Sequence, residues 1–141
     1  MKKIQIKDDY NITDFGEVSE INKIIEKINI GTETVVELNL RHCFIEYPGT
    51  SYIFDKIFDQ LRTLSGPKEL VVIFDYYLPE SNILNLCFMG SKYFDIEEDK
   101  EDSLDTITKK IKEKIVNDNI IIEIRVVNRN GEQINSYKYG E

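Results

Sequence analysis

The stretch from Thr34 to Tyr77 constrains the fold of this chain more than any other. Leu70-Val71-Val72-Ile73-Phe74 is an unbroken apolar run rich in β-branched side chains, the pattern of a strand in a parallel sheet. Ahead of it, Val35, Val36, Leu38 and Leu40 form a second near-continuous strand that reads as covered on both faces, with Glu37 and Asn39 as its polar interruptions. Between the two, Tyr52, Ile53, Phe54, Ile57, Phe58, Leu61 and Leu64 recur at helical spacing over residues 50–64. That apolar face is wider than a solvent-bounded helix carries, so this helix is expected to be the most buried. Ser65-Gly66-Pro67 stops it, because Gly suits the left-handed closing position and Pro cannot extend the ladder. A strand, helix and strand in this order predict a parallel pair joined by a right-handed crossover.

The flanking segments extend this unit. Ile4 and Ile6 alternate with polar neighbours over Lys3–Lys7, a short strand at or near an edge. Val18, Ile21, Ile25 and Ile28 mark an amphipathic helix over residues 17–29, closed at Gly31. Residues 80–92 fit two periods: Ile83, Leu84, Cys87 and Phe88 a helix, or Leu84, Leu86 and Phe88 a strand. The start signal Pro79-Glu80-Ser81 favours the helix. Asp95 to Asp105 carries seven acids against Lys100, so residues 95–102 read as an acidic surface loop within the domain. Ser103 is placed to cap a helix with Leu104, Ile107, Ile111 and Ile115 inward. Ile120–Val127 reads as a long strand, Asn130-Gly131 as a two-residue hairpin turn, and Gln133–Tyr139 as a terminal edge strand. The expected fold is α/β over residues 1–141 as a single domain: a mixed sheet with a parallel βαβ centre, helices packed over its faces, and a C-terminal β-hairpin.

Composition removes several function classes. A chain of 141 residues, 41% hydrophobic, can close one core without staples. Its net charge of −8 argues against nucleic acid, whose phosphates need clustered Lys and Arg, and points to protein partners with basic patches. No charged-then-apolar leader and no run of membrane-spanning length is present, so a cytoplasmic protein without membrane contact is expected. Cys43 and Cys87 lack metal-site spacing and read as reduced, structural thiols. His42 and Cys43 are adjacent on extended chain and point to opposite faces, which does not make a nucleophile and base pair. The acidic run lacks the spaced ligands and turn Gly of a calcium loop, and the glycines at 31, 49 and 66 are isolated, so neither metal nor nucleotide cofactor is expected.

The turn Glu46-Tyr47-Pro48-Gly49-Thr50-Ser51 is more informative. Two hydroxyls stand where a helix begins, so Thr50 or Ser51 can cap a free N–H of its first turn. A phosphate on either would be accommodated by the helix dipole and would change the surface a partner meets by nearly two charges. Both readings remain open from the residues alone.

The run Val36-Glu37-Leu38-Asn39-Leu40-Arg41-His42-Cys43-Phe44-Ile45, followed by the turn and Ser51-Tyr52-Ile53-Phe54-Asp55, resembles the anti-sigma-factor-antagonist (STAS) superfamily. It is most similar to the bacterial STAS-like domain family of unknown function, in which a strand and short loop lead to a helix whose start carries a regulatory serine. The resemblance covers a third to a half of the chain, and Glu46-Tyr47-Pro48-Gly49 and the C-terminal hairpin depart from the antagonist pattern. It implies a non-enzymatic regulatory module that docks a protein partner, a histidine-kinase-like ATPase being one such partner. The implied contact is residues 46–55, with Tyr47, Thr50, Ser51, Tyr52 and Asp55 as binding residues and Thr50 or Ser51 as phosphorylation sites. Two alternatives stand beside it. One is a small hydrolase or transferase with Arg41, His42, Asp75 and Tyr76 at the C-terminal ends of the strands. The other is a structural or antitoxin-like subunit that pairs through its terminal strand.

Overall fold

A computed structural model of the chain describes residues 1–6, 11–12, 18–41, 44–45, 49–75, 79–94 and 103–140. In chain order its elements are β1 (Lys2–Gln5), β2 (Asn11–Ile12), α1 (Val18–Lys27), β3 (Val35–Asn39), β4 (Phe44–Ile45), α2 (Gly49–Leu61), β5 (Lys68–Phe74), α3 (Glu80–Phe88), α4 (Leu104–Asp118), β6 (Ile120–Val127) and β7 (Gln133–Tyr139). The apolar run at β5 is the centre of a five-stranded sheet of order β1-β3-β5-β6-β7. The first four strands are parallel and β7 returns antiparallel to β6, so the sheet is mixed around a parallel βαβ centre. β2 and β4 form a separate parallel pair too short to carry a sequence pattern.

Strand order follows chain order, so every crossover advances in the same direction. Crossovers of one hand that all advance one way deliver their helices to one face of the sheet. Burial shows this: Val36, Leu38, Leu70, Val72, Phe74, Ile122 and Ile124 join residues of all four helices in one core. Their neighbours Glu37, Asn39, Ile73, Glu123 and Arg125 alternate to the opposite face and are half-buried. Val71 also lies there, outside the core cluster. Among the described residues the helices thus cover one face where both were expected, and Glu37 and Asn39 belong to the opposite face.

The helix layer runs in the same order as the strands, with α2 packed between α1 and α3, and α4 beyond α3. Flanked on both sides and underlain by the sheet, α2 buries residues around most of its circumference, as its wide apolar face predicted. Phe54 meets Phe88 edge-on at 5.1 Å between ring centroids, and Phe58 meets Phe94 edge-on at 5.6 Å. Each such ring contributes about 2–3 kcal/mol by leaving water.

Polar contacts tie the layer together. The Gln60 side chain on α2 accepts from the Ile30 N–H at 2.8 Å and donates to the Ile28 carbonyl at 2.9 Å, satisfying backbone groups just beyond α1. Lys68, a buried residue at the start of β5, donates its ammonium to the Leu64 carbonyl at 3.1 Å, past the C-terminal end of α2 where a cation is favoured. Ser103 caps α4 by accepting from the Thr106 N–H at 3.3 Å, and Asn119 ends it in the left-handed conformation with φ 55°. Residues 80–88 are helical, resolving the two-period ambiguity; α3 buries Ile83, Leu84, Cys87 and Phe88. The acidic run at 95–102 lies outside the described residues.

The β6–β7 connection differs from the expected two-residue turn. Such a turn of the I′ type needs positive φ at both central residues, and here only Gly131 has it, at 85°. Gly131 N–H donates to the Asn128 carbonyl at 2.9 Å, and Asn128 N–H donates to the Glu132 carbonyl at 2.8 Å. The loop is therefore the three residues Arg129–Gly131, a turn followed by a left-handed glycine. The Asn128 side chain secures it, accepting from the N–H groups of Asn130 and Glu132 at 2.9 Å each.

Candidate functional site

The expected site begins where α2 begins, on the side of the sheet where the parallel strands end. In open α/β sheets this is where loops gather and ligands are met. α2 starts at Gly49, one residue earlier than the sequence suggested, so Thr50 and Ser51 lie inside its first turn. Both are buried, at 1% and 0% exposure, and Gly49 is buried with them. Tyr52, the next residue, is 41% exposed. Tyr47 lies outside the described residues.

Asp55 faces the interior, one turn along from Ser51. Its carboxylate accepts from the Ser91 hydroxyl and, at 3.0 Å, from the Lys92 N–H. Burial pushes this carboxyl above its usual range, against the downward pull of those two hydrogen bonds and of the Lys92 charge. Of the expected contact residues, then, the structure presents Tyr52 at the surface and engages Asp55 in holding the segment after α3.

A polar cluster continues along α2 that sequence reasoning missed. Asp59 accepts from the Tyr93 hydroxyl and from the Lys92 ammonium at 3.0 Å. Burial raises the Asp59 carboxyl, but the hydrogen bonds from Lys92 and Tyr93 outweigh it and hold it below the ordinary value. Burial and the bond to Asp59 push the Tyr93 hydroxyl upward. Three cations stand around the Tyr93 ring: Arg62 at 5.0 Å, Lys92 at 5.3 Å and Lys114 at 5.4 Å from its centroid. Arg62 and Lys114 also meet Asp118 on α4, at 3.5 and 3.2 Å. The cluster thus clamps α2, the segment after α3, and α4 together, and each of its cations has an acid partner. Its only sequence signal was helical spacing: Asp55 and Asp59 on α2 with Arg62 just past its end, and Lys114 and Asp118 on α4.

Two of the residues named for catalysis are described, Arg41 and Asp75, and they follow the neighbouring parallel strands β3 and β5, whose register pairs Asn39 with Ile73. Arg41, half-buried at the end of β3, lies against the β6–β7 hairpin: a Cβ added at Gly131 would sit 3.2 Å from its guanidinium. Asp75 follows β5, and His42 and Tyr76 lie outside the described residues. Cys87 is fully buried on α3, where burial pushes its thiol far up; Cys43 lies outside the described residues. Among the described residues, no group of three His, Cys, Asp or Glu side chains could hold a metal ion, and no helix is long and apolar enough to cross a membrane.

No family model, curated protein or solved structure matches this chain.

Proposed function

We propose that this chain is a non-enzymatic regulatory module of STAS-like type, working in the cytoplasm and docking a protein partner through the loop and helix start at residues 46–55. The observation that carries the reading is Tyr52: a large aromatic side chain 41% exposed on a first helical turn whose neighbours are almost wholly buried. A rigid, amphipathic ring projecting from a packed helix is the kind of group that anchors protein interfaces. The strand, short connection and helix at β3, β4 and α2 support the resemblance on which the regulatory part depends. A histidine-kinase-like ATPase fits as partner on that resemblance alone. Phosphorylation of Thr50 or Ser51 would require the first turn of α2 to open, since both side chains are buried, so a phosphate there would mark an opened helix start.

The test compares partners retained by the wild-type chain and by Tyr52→Glu in a bacterial extract, with both proteins checked by thermal melting. Tyr52→Glu is expected to fold normally and to lose a specific partner. If it melts as the wild type does and retains every partner, the helix-start site is wrong.

A second reading, a subunit that pairs through its terminal strand, is favoured by Ile134, which is 56% exposed on the edge strand β7. Light scattering tests it: a strict monomer at high concentration excludes self-pairing at that edge.

A further inference from the structure

At the sheet edge opposite β7, a groove of about 470 Å³ runs between β1 and α1. Its apolar lining is Ile4, Ile6, Ile24 and Ile28, and Lys2 and Lys27 lie along it. We propose that β1 receives an acidic, extended segment of a partner protein as a sixth strand, with alternate aliphatic side chains of that segment seated in this groove.

The backbone of β1 supplies the first requirement. Ile6 N–H donates to the Asn39 carbonyl at 3.2 Å, so the even-numbered residues aim their main-chain groups at β3. Strand alternation then turns the N–H and C=O groups of Lys3 and Gln5 toward the free edge, where no described strand pairs with them. An added strand would gain hydrogen bonds at those two residues. The groove supplies the second requirement, a place for side chains at alternate positions, which is how strand addition acquires selectivity.

Charge selects the occupant. Lys2, Lys3 and Lys27 are all exposed, and none forms an ion pair among the described residues. They concentrate positive charge on this edge of a chain whose net charge is −8. Lysines on an edge strand also serve to repel unwanted pairing. Such lysines oppose a basic strand by repulsion and a neutral one by the cost of stripping water from an ammonium, whereas an acidic strand meets them with counter-charge, and neither effect accounts for an aliphatic groove beside the strand. The site is separate from the α2 start, so this proposal stands or falls independently of the Tyr52 surface.

The experiment titrates the isotope-labelled full chain with short synthetic peptides and follows backbone amide signals by NMR. A peptide alternating Glu and Val is expected to shift Lys3, Gln5 and Ile24 saturably. Its affinity should fall by about tenfold or more from low to high salt, and likewise with Lys3→Glu/Lys27→Glu, whose exposed substitutions leave the fold intact. The same peptide N-methylated at alternate residues, which removes its main-chain donors, should not bind. The proposal is overturned if the Glu-Val peptide leaves β1 unmoved, if a Lys-Val peptide binds as well, or if the N-methylated form binds equally. It is also overturned if those amides shift with protein concentration alone, which would assign the edge to a second copy of the chain.

Discussion

Asp55 shows how a residue named for its surface role can be spent inside the fold. Its carboxylate sits among Ser91 and Lys92, and burial raises its proton affinity above that of the unfolded chain. A carboxyl that binds its proton more tightly when folded favours the native state at acid pH, and that contribution declines as pH rises from the ordinary carboxylate value through the raised folded one. Asp55→Asn, fixed in the neutral form, removes this dependence. The stability of wild type minus that of Asp55→Asn, from urea unfolding, should therefore be larger at about pH 4 than at about pH 7. A difference that stays constant, or grows toward neutral pH, would contradict the burial argument. Ser91→Ala removes a donor to the same carboxylate and should cost about 1–3 kcal/mol in that assay. The cluster was not legible in the sequence because Ser91, Lys92 and Tyr93 follow α3 in a segment without periodicity, more than thirty residues along the chain from their partners on α2. Thr50 and Ser51 were legible as residues at a helix start, but their burial depends on what packs over that turn, which pattern does not report.

At the scale of elements, period and punctuation were sufficient for the long segments. α1, α2, α4, β5 and β6 fall close to where apolar spacing placed them, because each has enough residues to establish its period. The β6–β7 hairpin shows the limit. Asn130-Gly131 marked the place of the turn, but the turn's type was decided by the Asn128 side chain, which binds Asn130 and Glu132 and draws a third residue into the loop. Only Gly131 carries the left-handed backbone. Gly131→Ala should therefore cost about 1–2 kcal/mol from backbone strain, with Arg41 yielding locally to the new Cβ. Asn130→Ala, at a position without positive φ, should cost less than half as much. Chemical denaturation of the two variants tests this, and equal losses would indicate a two-residue turn after all.

For the whole molecule, the decisive property is that the sheet is covered on one side by its helices. Adjacent residues of β5 measure this directly. Val72 lies in the core beneath the helices, while Val71, also buried, lies on the other face and outside the core cluster. Val72→Ala should cost about 2 kcal/mol or more, and Val71→Ala about 1 kcal/mol or less, because Val71 takes no part in the helix-packed core whose contacts Val72 would lose. Comparable losses at both positions would mean that the second face is enclosed. Two-sided burial was expected from β3 and β5 because a near-continuous apolar run is the usual mark of an enclosed parallel strand. What pattern alone did not convey is the order of the strands, on which the placement of the helices depends. That order has a consequence in time as well as in space. Each strand from β3 onward in the sheet lands beside the one laid down before it, so assembly requires no early strand to wait for a distant partner. A chain emerging from its N-terminus can extend the sheet one edge at a time, with β7 arriving last to close the series.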